Sequence, residues 1–229
     1  INTGSAPVSV MLQLPAPHRF RFILFALLGC LLSLHIFSEF LLYFTPSLVL
    51  ESATSRVTFS YFKIVNFDFE KNLPTFFNFA LLAMSAGLLA LITTNAFRRR
   101  DGLRVHWLIL AFAFLVLSFD EAAQMHEQLS SVVRQTVPQA GFLYFAWVLP
   151  IGIFVILFGL GYISFLRQLP FAISSKIILG GALYVTGALG LEIVASQLLI
   201  ADPFAEMSTA WRITMTLEET LEMSGIIIF

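Results

Sequence analysis

The chain is 229 residues long, 58% hydrophobic and only 12% charged, with a mean hydropathy of +0.87 and a formal net charge of −1. A soluble domain is about half apolar and about a quarter charged, so this composition excludes an ordinary soluble fold and points to a membrane protein. The balanced charge argues against nucleic acid as a partner, and the single Cys30 excludes an intrachain disulfide and any cysteine-built metal or cluster site.

The chain opens on Ile1 and closes on the run GIIIF, which read as edges cut from a longer polypeptide, with residues 1–17 a flexible N-terminal segment. HRFRFILFALLGC has the basic start and apolar run of a signal sequence. The apolar stretch continues through LLSLHIFSEFLLYF, however, long enough to cross a bilayer and stay there. The first predicted span is therefore Phe20–Phe44.

Residues 45–72 follow as a long connecting loop. Within it, RVTFSYFKIVNFDF alternates β-branched and aromatic residues with polar ones, as a strand or an interfacial ribbon would. Its aromatic rings suit the headgroup level, either as a lid on the bundle or as a docking surface for partner membrane proteins. The remaining predicted spans are Leu73–Phe97, Leu103–Gln128, Phe142–Leu166, Lys176–Ile200 and Met207–Phe229, and none is visibly broken by a mid-helix proline or paired glycines.

Basic residues set the expected orientation. His18, Arg19 and Arg21 precede the first span; Arg98, Arg99, Arg100 and Arg104 join the second and third, and Arg167 and Lys176 join the fourth and fifth. The expectation is one domain over residues 1–229: an all-α bundle of six transmembrane helices, both termini cytoplasmic. Such a protein would be a multi-pass component of a bacterial inner (plasma) membrane.

Ionisable residues inside the spans carry the functional signal. The first span holds His35 and Glu39, the third Asp120 and Glu121 with His126 and Glu127 at its end, the fifth Glu192, and the sixth Glu218, Glu219 and Glu222. A charge at mid-bilayer costs about 2.5–3.5 kcal/mol on insertion scales, so these groups need protons, partners or a bound cation. By topology they lie at a similar depth, in the outer half of the bilayer. Helical spacing places His35 with Glu39, Asp120 with Gln124 and Glu127, and Glu218 with Glu222 on shared faces.

Glu192 aligns with Gly181, Ala188 and Ser196, and Ala182, Thr186 and Gly190 offer a second tight face on the same helix. His126 lies about 120° from Asp120 on an ideal helix, so it joins that site only if the helix end unwinds.

No Lys or Arg lies deep in any span; Arg212 comes nearest. Carboxylates plus imidazole without thiolate suit iron, manganese or zinc. The favoured reading is a divalent, perhaps paired, metal site with His35, Glu39, Asp120, Glu121, His126, Glu192, Glu218 and Glu222 as ligands. Glu219 or Glu127 would serve as general base toward a lipid-like substrate. The chain lacks the His-x-x-x-His pair of zinc-dependent membrane hydrolases. A proton or cation transporter using the same acids, and an accessory subunit of a larger membrane complex, are the two alternatives.

Overall fold

The computed structural model describes residues 16–44, 60–126, 128, 148–202 and 204–229. Helices, turns and short bends account for all of them; no strand occurs among the described residues. Helix α1 is Pro17–Phe44, with Pro17 at the first helical position, where its missing N–H is no loss. Residues 60–65 form a short helix, and residues 66–72 turn the chain into α2.

The expected extended ribbon is thus corrected for residues 60–69, while residues 45–59 lie outside the described region. A lone strand in an all-helical molecule has no ladder partner for its backbone, whereas a helix satisfies its own. The spacing of Phe62 and Val65, both buried, serves a helix face equally well.

Helix α2, Leu73–Arg98, is capped by Asn72, whose side-chain oxygen accepts from the Thr75 N–H at 3.1 Å. After a turn through Arg99–Leu103, α3 (Arg104–Ala123) returns along α2 as the most extensive helix pairing in the bundle. Helix α4 is Val148–Gln168; residues 142–147 of its expected span lie outside the described region. Helix α5, Phe171–Val185, begins directly after Pro170, ahead of the expected Lys176. It widens into a π-helical segment, Thr186–Leu191, and continues as α6, Glu192–Ala201. The fifth span is therefore interrupted after all, by an inserted residue in the hydrogen-bond ladder that leaves no proline or glycine pair to read.

A short turn at Ala205–Met207 leads to α7, Thr209–Ile228, whose N-cap Ser208 accepts from the Trp211 N–H at 3.1 Å.

Five segments are long and apolar enough to cross a membrane: α1, α2, α3, α4 and the continuous rod Phe171–Ala201. They mark the protein as an integral membrane protein of several spans. Arg212, Glu218, Glu219 and Glu222 make α7 less apolar than the other five. That least apolar helix is also the hub, contacting α1, α2, α5, the π segment and α6. Met223, Ile226 and Ile227 of α7 join Leu28 and Leu31 of α1 and Leu81 and Leu82 of α2 in the main apolar core. Outward-facing side chains such as Phe22, Leu91, Phe112 and Leu157 are large and apolar, as a hydrocarbon surround demands.

The α5–α7 contact is unusually close. A Cβ on Gly180 would lie 2.6 Å from the Gly225 carbonyl oxygen, and one on Gly187 would lie 2.8 Å from the Glu218 carbonyl oxygen. The small-residue face expected from Gly181 and from the Ala182–Thr186–Gly190 ladder is therefore misplaced: a Cβ on Gly181 meets nothing within 4 Å, and one on Gly190 meets only Thr186. Gly180 and Gly187, one heptad apart, face the partner helix instead.

Candidate functional site

Asp120 and His126 are joined by a break in the helix. Gln124 adopts the left-handed conformation (φ 53°, ψ 47°) and ends α3 by donating its N–H to the Asp120 carbonyl. The chain then turns back. The His126 N–H donates to Asp120 Oδ1 at 2.8 Å, and His126 Nδ1 lies 3.1 Å from Asp120 Oδ2. Both side chains are a little over a quarter exposed. Burial opposes the imidazolium charge, but the hydrogen bond and charge of Asp120, with Glu70 and Glu192 beyond it, prevail and hold His126 up to about 9.

The other acids are met in pairs. Asn78 of α2, fully buried, donates Nδ2 to Glu222 Oε2 at 3.2 Å, and the same amide hydrogen-bonds Glu121. Glu192, the first residue after the π segment, hydrogen-bonds Glu218. Glu219 feels the charges of Glu222, Glu121 and Glu70. The outer oxygens of Glu218 and Glu219 are buried without a hydrogen-bond partner, as is the Asn78 carbonyl oxygen. Gly187 allows this approach, since a Cβ there would sit 2.9 Å from Glu222 Cγ.

His35 and Glu39 enter a different set of contacts. His35 Nδ1 accepts from the Phe67 N–H at 3.2 Å, so Nε2 carries the proton and donates to Thr216 Oγ1 at 2.8 Å. Its ring stacks on Phe67 at 4.6 Å between centroids. Glu39 accepts from Arg212 Nη1 at 3.0 Å and from the Asn66 amide. Trp211 Nε1 donates to Asp68 Oδ1 at 2.8 Å beside them. These bonds fasten residues 60–72 to α1 and α7, and Arg212 supplies the cation that Glu39 requires.

The structure thus brings Asp120 to His126, Glu192 to Glu218, and Glu121 to Glu222 through Asn78. It sets His35 and Glu39 with Arg212, Thr216 and the 60–72 segment. Glu127 lies outside the described residues. Among the described residues, no three His, Cys, Asp or Glu side chains converge in an arrangement that could hold a metal ion. Sequence reasoning passed over Asn78 and Glu70. Asn78 does leave a trace, as a lone amide in the otherwise apolar turn TFFNFALL.

One family model, described as "Domain of unknown function (DUF8692)", matches residues 22–229. No curated protein and no solved structure matches the chain.

Proposed function

The chain belongs to the DUF8692 family, and we propose that it binds a divalent metal ion, iron, manganese or zinc, in a carboxylate–imidazole pocket within the outer half of the bilayer. Asp120, Glu121, Glu192, Glu218 and Glu222 supply oxygen, and His126 supplies nitrogen. The observation that carries this reading is the left-handed turn at Gln124, which folds a histidine back onto Asp120 at the end of a span rich in acids. Carboxylate-to-Nδ1 contacts of this kind orient metal-ligating histidines and fix Nε2 as the ligating atom. Binding displaces the imidazolium proton, as metal uptake by protonated ligands generally does.

The Glu192–Glu218 contact supports the reading further, because two carboxyl groups in hydrogen-bond reach must share a proton or a cation. Glu219, with a buried oxygen that lacks a partner, is placed to act as general base, with Glu127 as the other candidate. The substrate class is a lipid-soluble ester, amide or oxidisable chain that reaches the pocket from the bilayer.

Metal analysis of the purified protein tests this reading. The wild type is expected to carry stoichiometric metal and the Asp120→Ala/Glu222→Ala variant to lose it; a metal-free wild type after purification without chelator would sink the proposal.

Transport of protons or cations is the second reading, favoured by the π segment immediately before Glu192. Interrupted helices carry ion sites in many transporters, and π segments recur at functional positions. Cation uptake into proteoliposomes that Glu192→Gln abolishes would select transport over lipid chemistry.

A further inference from the structure

Resting on the metal-site reading above, we propose that Asn78 is an oxygen ligand of the same ion, through its side-chain carbonyl, and that the resulting oxygen-rich donor set selects manganese over zinc. Asn78 is 0% exposed, on the face of α2 turned to α7, and its amide is directed at Glu222 on one side and Glu121 on the other. Its nitrogen is satisfied by carboxylate oxygens. Its carbonyl oxygen, on the same planar group, is buried and has no donor in reach.

Buried amide oxygens are nearly always paired, because nothing replaces the water they leave. An amide in a transmembrane helix is kept for a partner, and the groups around this one are themselves acceptors. Carboxylates offer no proton to a carbonyl unless they are protonated, whereas a cation among them satisfies amide and acids together. The unpartnered oxygens of Glu218 and Glu219 make the same demand on neighbouring turns of α7.

The donor set then has one imidazole, His126, and otherwise only carboxylate and amide oxygen. Carboxylate and carbonyl oxygens suit manganese, magnesium and calcium, while zinc gains most from nitrogen and sulfur. Asn78 also explains why metal-ligand reasoning on acids and histidines alone finds no complete site, since one ligand is neither.

The test is titration of the detergent-purified full chain with Mn2+, followed by loss of the free-ion electron paramagnetic resonance signal, and repeated with Zn2+. Asn78→Leu keeps the volume and removes both amide functions; it is expected to weaken Mn2+ binding by about tenfold or more, the loss typical when a ligand or its support is removed. Asn78→Asp replaces the carbonyl with a carboxylate and is expected to bind Mn2+ at least as tightly as the wild type. Should Asn78→Leu fail to fold, the aspartate variant decides, and weaker Mn2+ binding by it overturns the proposal.

Mn2+ affinity in Asn78→Leu equal to the wild type also overturns it, while leaving the metal site standing. So does tighter binding of Zn2+ than Mn2+ by the wild type. A wild type that binds neither ion overturns the metal-site reading itself.

Discussion

His126 and Asp120 are coupled by a single residue, Gln124, in a conformation that costs an ordinary side chain about 1–2 kcal/mol. The cost is met by two hydrogen bonds and an ion pair to one carboxylate. In the metal-free protein this pairing has a pH signature. The His126 pKa is raised from 6.5 to about 9 in the folded state, so its contribution is fully present below 6.5 and is lost as the pH rises through about 9. With both groups partly exposed, about 1–2 kcal/mol is expected after solvent screening. Thermal unfolding in detergent with chelator should show stability declining across that window, and Asp120→Asn should flatten the decline. An unchanged slope in the variant would mean that the pair contributes nothing. The acids of the third span are legible in the sequence, but whether His126 joins them turns on one φ angle, which no periodicity encodes.

Among the elements, the rod Phe171–Ala201 departs most from expectation. Its π segment inserts a residue before Glu192 and rotates everything beyond it, so the face that meets α7 is marked by Gly180 and Gly187 rather than by Gly181 or Gly190. A Cβ at Gly187 would stand 2.8 Å from the Glu218 carbonyl oxygen and 3.2 Å from the Glu222 nitrogen, both backbone atoms that cannot step aside. Gly187→Ala is accordingly expected to lower stability by about 1–3 kcal/mol and to disturb the acid turn of α7. Gly181→Ala, with open space around it, should change stability by no more than about 0.5 kcal/mol. Denaturation of both variants in mixed micelles measures the contrast, and equal effects would show that the close approach is not where the helices are locked. Small residues are visible in the sequence; a register shift halfway along the helix is not, because a π insertion has no composition of its own.

For the molecule as a whole, the arrangement follows from where polarity can be hidden. The helix least suited to lipid, α7, lies against α1, α2, α5, the π segment and α6, and its carboxylates meet side chains from α2, α3 and α6. The segment 60–72 closes over one end of that core, with Asn66 fully buried and bonded to Glu39, and Trp211 bonded to Asp68. Two polar systems result. One has its own cation, Arg212, and binds the 60–72 segment down; the other has acids and His126, and is the site proposed for metal.

By itself, the sequence determined the solvent of this protein and the number of long apolar helices to within one. Composition and run length answer directly to the cost of placing backbone and charge in hydrocarbon. It also determined which residues could not be idle, since intramembrane acids are expensive wherever they sit. Only the tertiary structure decided how they are partnered. Glu39 goes to Arg212, Glu192 to Glu218, and Glu121 and Glu222 to an asparagine on another helix. Partner choice depends on helix rotation and on local breaks at Gln124 and Thr186–Leu191, where a shift of one residue turns a side chain by about 100°. Such shifts are small in the energy of a single helix and decisive once neighbouring helices must satisfy one another.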